Sequence, residues 1–284
     1  MSESSASKKK DINVSSLEEL FEISKVDFTN LAIGYHDNIN FEYAFPVSPD
    51  TYLKYAKSDL KNGDDKSLIN ALSNAKRSID CLVESTLKSL NIDSSSTDPN
   101  LINFCNEVLD ESQQRIVPKS LKVFCALGLA PSILVSEVRA LRNKVEHEYV
   151  VPSLSDVTKA IEVADLLLNN VKAKELYSAC IDIIDLKSQL KSDSKYGASI
   201  TGLYFNEVYP KKEKGICEFV IELYSDNRYS YNFTGEESAY FYFLRAMFIA
   251  AHDEDNLKDT IKMSLNNINI KTPKEHVKIV QVHR

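Results

Sequence analysis

Apolar residues recur at helical intervals through the first two thirds of the chain and switch to strand-like alternation in the last third. Ser15 or Ser16 is placed to cap a short helix reaching about Lys25, with Leu17, Leu20, Phe21 and Ile23 apolar. Residues 27–45 mix polar and aromatic positions and read as a short extended hairpin or packed arm. Pro46 and Pro49 then open a helix from about Asp50 that carries Tyr52, Leu53, Ala56 and Leu60. A turn holding Gly63 leads into a longer helix over 65–90, whose stripe is Leu68, Ala71, Leu72, Ala75, Ile79, Leu82, Val83 and Leu87. A Ser- and Asp-rich loop, a helix over 101–115 and a helix from Lys119 to Gly128 follow. The spacing of Leu134, Val138, Leu141 and Val145 predicts a helix over 132–150, and Pro152 ends it by disfavouring helical geometry at Val151. Ser155 can cap a last long helix with Val157, Ile161, Ala164, Leu167, Leu168 and Val171 on one face, extending with or without a break to Leu190.

From Ser192 the period changes. Runs at 200–209, 216–224 and 228–233 read as a three-stranded meander, joined by a Lys-rich turn and by Asp226-Asn227. Helices over 236–251 and 255–265 and a strand over 277–282 complete this region. The expected fold is mainly α, an antiparallel helical bundle with a smaller C-terminal α+β domain. Residues 1–14 are expected to be disordered, 15–48 to form the N-terminal helix and extended arm, 49–191 the bundle and 192–284 the α+β domain.

Composition narrows the chemistry. At 284 residues, 43% hydrophobic and 26% charged, the chain has the balance of a globular protein with ample length for a core. It opens on a Ser- and Lys-rich stretch without an apolar run, and its most apolar later segment, 240–251, is too short for a membrane span and contains Arg245. A cytoplasmic location without membrane contact is the expectation. Five scattered cysteines without a Cys-x-x-Cys pair argue for reduced thiols, and the five histidines show no metal-ligand spacing, so no metal and no cofactor is expected. Seven glycines leave little for a phosphate-binding loop. The net charge of −7 excludes a global field drawing the chain to nucleic acid, but leaves room for a local basic site from Arg139, Arg142 and Lys144. His252-Asp253-Glu254-Asp255 has metal-binding side chains but reads as a solvated helix junction, and the aromatic run at 240–243 reads as core or interface.

Chemistry concentrates at 136–149, where an arginine, an amide, a histidine and a tyrosine share one predicted helix. His147 falls in its last turn, where backbone carbonyls carry partial negative charge and favour the protonated imidazole, which suits a proton donor. At about 100° per residue Asn143 and His147 lie on nearly one face, whereas Arg142 and His147 diverge by roughly 140°. Either the helix loosens before His147, or the two residues meet their counterparts from a second copy, as a two-fold dimer allows. The same spacing also suits an ordinary Arg142–Glu146 surface pair worth about 0.2–0.5 kcal/mol and a histidine that caps carbonyls.

The segment Arg142-Asn143-Lys144-Val145-Glu146-His147 resembles the Arg-Asn-x-x-x-His signature of the HEPN family of helical nucleases and nucleotide-binding domains. With Glu148 and Tyr149 it also resembles the longer Arg-x4-His-x-Tyr form of HEPN toxins paired with a nucleotidyltransferase antitoxin. The order of helices over roughly 50–175 is similar to that of HEPN domains. The resemblance implies an HEPN-like bundle and a metal-independent endoribonuclease acting as a toxin or antiviral defence effector. It implies that His147 is general acid or base, that Arg142 holds the phosphate and that Asn143 orients either. Arg139 and Lys144 would support the phosphate, and Asp80 or Lys76 stands nearest to the polar residue that some family members direct at the catalytic pair. RNA is the implied substrate, a homodimer the implied assembly and an antitoxin or regulatory protein the implied partner, with Tyr149 the implied site of regulatory nucleotidylation. The alternative is a noncatalytic HEPN-like module that binds a nucleotide or scaffolds a complex.

Overall fold

The structure is a computed structural model that describes residues 10–36, 45–116, 118–131, 138, 140–141, 143, 145–175, 180–185, 202–208, 218–224, 227–250 and 252–281. In chain order its elements are β1 (Asp11–Asn13), α1 (Leu17–Ser24), β2 (Leu31–His36), α2 (Pro49–Leu60), α3 (Asp65–Ser89), α4 (Pro99–Val108) and α5 (Lys119–Ala126). They continue as α6 (Leu154–Glu175), β3 (Cys180–Asp185), β4 (Gly202–Val208), β5 (Glu218–Tyr224), β6 (Arg228–Phe233), α7 (Ser238–Ile249), α8 (Glu254–Asn267) and β7 (Val277–Gln281). Helices hold the larger share, so the chain is mainly helical. It divides into two compact units. One takes Met1–Asp37 together with Ser178–Tyr209 and Cys217–Arg284, and the other is built on Asn38–Tyr177.

In the helical unit, local signals set the ends of each helix. Ser48 accepts a hydrogen bond from the Thr51 amide at 3.2 Å just before Pro49, and Asp64 accepts one from the Ser67 amide at 2.9 Å after Gly63 turns the chain at φ +73°. The short turn makes α2 and α3 antiparallel neighbours. All eight residues of the predicted α3 stripe are buried, and α3 packs against α2, α5 and α6. Polar ties fix the same pairs: the Ser78 hydroxyl donates to the Pro49 carbonyl at 2.8 Å, and Asn74 donates to Asp59 at 2.9 Å. Lys57 pairs with Asp165 at 2.7 Å and Lys172 with Asp50 at 2.6 Å, which sets α2 antiparallel to α6. The buried face of α6 is Val157, Ile161, Ala164, Leu167, Leu168 and Val171.

The other unit is built on a seven-stranded mixed sheet in the order β1-β6-β5-β4-β3-β2-β7. The sequence reading departs from it in three places. Asp11–Asn13, expected within a disordered terminus, forms β1, parallel to β6. The expected arm is β2, a strand between β3 and β7, and its Leu31, Ala32, Ile33 and Gly34 are all buried, as in a strand covered on both faces. Residues 180–185, expected to continue the last helix, form β3, antiparallel to β2 from Leu31↔Asp185 to His36↔Cys180. The common reason is that each strand is stabilised by a partner far along the chain, which six residues of local pattern do not reveal. The helical unit is therefore an insertion between two adjacent strands.

α7 is apolar on every face apart from Arg245 and is buried on nearly every side. Phe233 of β6 meets Tyr240 and Phe243 edge-on, with ring centroids 6.2 and 5.8 Å apart. Arg245, the single charge in α7, donates from Nε to the Thr260 hydroxyl of α8 at 3.3 Å, and burial lowers its pKa against the opposing influence of Asp253. Among the described residues no helix is long and apolar enough to cross a membrane.

Candidate active site

The motif segment lies between α5 and α6. Val138, Ala140, Leu141, Asn143 and 145–147 are helical, and Val138 is the buried anchor of the apolar stripe, with Leu141 and Val145 half-buried. The helix ends at His147, three residues earlier than the proline alone suggested. Tyr149 explains the early stop: it adopts φ +53°, the left-handed conformation that closes a helix one residue past its cap.

The next helix begins almost at once. Ser153, not the expected Ser155, is the cap: its hydroxyl accepts from the Asp156 amide at 3.1 Å and donates to the Asp156 carboxylate at 2.7 Å. Pro152 is buried between the two helix ends. Residues 148–153 are thus fixed by a left-handed stop on one side and a side-chain cap on the other.

This geometry places His147 in the last helical position, exposed, with exposed Asn143 one turn back and roughly 40° away around the axis. Arg139, Arg142 and Lys144 lie outside the described residues. Asp80, the proposed supporting carboxylate, sits half-buried on α3 in an ion pair with Lys76 one turn earlier. Among the described residues Asp80 is joined to neither Asn143 nor His147.

Beyond Glu148 several large apolar side chains are exposed. Tyr149 is 88% exposed, Val150 51%, Val151 43% and Leu154 57%. Among the described residues Tyr149 makes no hydrogen bond, ion pair or ring contact. The helical pattern missed Val150, Val151 and Leu154 as a surface feature. Their signal was the pair of valines before a proline, outside the apolar stripes of both flanking helices. Glu146 and Glu148 are also exposed and give this end of the helix an acidic rim.

The remaining chemistry-bearing groups have structural roles. Asp253 of the acidic cluster caps α8, accepting from the Asn256 amide at 3.1 Å, with Glu254 and Asp255 in the favourable first turn. Among the described residues no group of three or more histidine, cysteine or acidic side chains could hold a metal ion. Burial pushes the thiol of Cys105 on α4 up to about 11 and that of Cys125 on α5 up to about 12, which leaves both as protonated packing groups. Comparison with known protein families, with curated proteins and with solved structures finds no match for this chain.

Proposed function

We propose that the chain is a metal-independent endoribonuclease of the HEPN type, a toxin or defence effector, whose helical unit is an HEPN-like bundle. One observation carries the reading: His147 and Asn143 of the Arg-Asn-x-x-x-His motif are exposed together at the C-terminal end of one helix, one turn apart on nearly the same face. In the proposed reaction a ribose 2′-oxygen attacks the adjacent phosphorus as a base removes its proton. The bond to the 5′-oxygen breaks as an acid supplies a proton to it. His147 fills one of these roles and His147 of a second copy the other, in a composite site made by a homodimer. Arg142 balances the charge on the phosphate oxygens and Asn143 orients the imidazole or the phosphate, with Arg139 and Lys144 adding local positive charge. The products carry 2′,3′-cyclic phosphate and 5′-hydroxyl ends.

The exposure of Tyr149 also suits its nucleotidylation by a partner antitoxin, since added phosphate charge beside His147 would block RNA. The sheet-containing unit is proposed to receive the restraining partner or trigger. The second reading, a noncatalytic nucleotide-binding or scaffolding module in the cytoplasm, draws support from the net charge of −7 and the exposed Glu146 and Glu148.

Cleavage of total RNA in EDTA by the full chain separates the two. Wild type should generate cyclic-phosphate ends, and His147→Ala should lower the rate about 10²–10⁴-fold, as expected for loss of general acid–base catalysis. Equal rates for wild type and His147→Ala would refute the assignment.

A further inference from the structure

The acidity of the chain poses a physical question that the ribonuclease reading leaves open. Proteins that hold RNA through its phosphates gather lysine and arginine, whereas this chain carries a net charge of −7 and flanks His147 with exposed Glu146 and Glu148. Phosphate attraction there rests on Arg139, Arg142 and Lys144 alone, so a substrate gains from contacts that do not depend on charge.

Tyr149 has the properties of such a contact. Its ring is 88% exposed and, among the described residues, touches no other ring and makes no hydrogen bond. An apolar ring left in water is unfavourable, and the backbone under it is strained as well, because φ +53° suits glycine and is disfavoured for a tyrosine. Two unfavourable features at one residue, two positions from His147, mark a side chain kept for what it meets. The backbone that carries the ring is also held, by the helix end before it and the Ser153 cap after it, so the segment itself has little freedom to lose when the ring is covered. Two residues of chain span at most roughly 7 Å between Cα atoms, so the backbone positions that carry the ring and the imidazole share one end of the helix.

Resting on the ribonuclease reading, we propose that Tyr149 is a stacking platform for an unpaired nucleobase next to the scissile phosphate, and that Val150 and Val151 extend its apolar surface. Every base has a π face, so the platform confers register along the strand with little sequence preference. A base inside a duplex is already stacked on both faces, so cleavage is confined to nucleotides free to leave the stack. Binding through a ring also depends weakly on salt.

The test uses the full chain and short unstructured oligoribonucleotides carrying 2-aminopurine at successive positions. With His147→Ala to prevent turnover, quenching is expected at one position relative to the cut and should be lost when Tyr149→Leu is added. In the active background Tyr149→Leu should lower kcat/KM about 5- to 100-fold, mainly through KM, and Tyr149→Phe should recover most of it because the ring is retained. Recovery by phenylalanine separates stacking from any role of the hydroxyl, including its modification. Cleavage by wild type with an unchanged kcat/KM in Tyr149→Leu would overturn the platform alone. Failure of wild type both to bind and to cleave would remove the ribonuclease reading and the platform with it.

Discussion

Replacing Tyr149 by glycine should make the protein more stable, which is an unusual direction for removing an aromatic residue. Tyr149 holds φ +53°, and a left-handed backbone costs an L-residue with a β-carbon about 1–2 kcal/mol. Glycine escapes this penalty but loses more backbone freedom on folding, about 0.5–1 kcal/mol. The ring is 88% exposed, so no packing energy offsets the difference. The net expectation for Tyr149→Gly is a gain of about 0.5–1 kcal/mol, equivalent to roughly 2–4 °C per kcal/mol in Tm for a unit of this size. Tyr149→Ala isolates the backbone effect, because alanine keeps the left-handed penalty and removes the same ring. It should change stability by less than about 0.5 kcal/mol. The assay is urea denaturation followed by helical circular dichroism, with hydrogen exchange of the α6 amides to assign the transition to the helical unit. A loss of more than 1 kcal/mol in both variants would show that the ring is packed and would refute the strain argument. A gain in Tyr149→Gly combined with loss of RNA cleavage would mean that stability is given up at this position for function.

Three further expectations can be checked by equilibrium unfolding. Ser153→Ala should cost about 1 kcal/mol through loss of the α6 cap, whereas Ser155→Ala should be nearly neutral; the reverse order would contradict the capping geometry. Leu82→Ala on α3, fully buried against the neighbouring helices, should destabilise the helical unit by about 2–5 kcal/mol, and a shift below 1 kcal/mol in a denaturant midpoint would argue against that packing. Glu237, which accepts a hydrogen bond from the Tyr231 hydroxyl at 3.0 Å, has its pKa raised chiefly by burial, with Glu236 adding to the rise and Tyr231 opposing it. A folded-state value above the unfolded one means that its contribution is fully present below the ordinary glutamate value of 4.5 and is lost as pH rises through the folded value. Stability of the sheet-containing unit should therefore decline upward through that window in wild type and much less in Glu237→Gln, and parallel profiles for the two proteins would sink the assignment.

The helices were legible because each carries its reason locally. The α3 stripe, the prolines at helix starts and the aspartate and serine caps are written within a few residues of the positions they stabilise. β6 at 228–233 was legible for the same reason, bounded by turn residues and alternating within itself. β2 and β3 were not: Leu31–His36 and Cys180–Asp185 are short apolar runs that suit a buried strand or a helix end equally well, and only their mutual pairing decides. Missing that one pairing hid the insertion, because an N-terminal arm and a helix tail are what two central strands look like when read alone.

The candidate site divides along the same line. Asn143 and His147 could be placed on one face from the helical period, and the proline forecast a helix end. The left-handed backbone at Tyr149 could not be forecast, because glycine is the residue that announces such a stop and the chain has a tyrosine there. Lys25 closes α1 with the same φ of +53°, so the left-handed stop recurs away from the motif; at Tyr149 it coincides with a ring that is 88% exposed beside the candidate catalytic histidine. That contrast gives Tyr149 its weight: an exposed ring alone is common, and a positive φ alone is tolerable. Together at the end of the motif helix they mark the residue whose replacement should separate the stability of this protein from the proposed RNA cleavage.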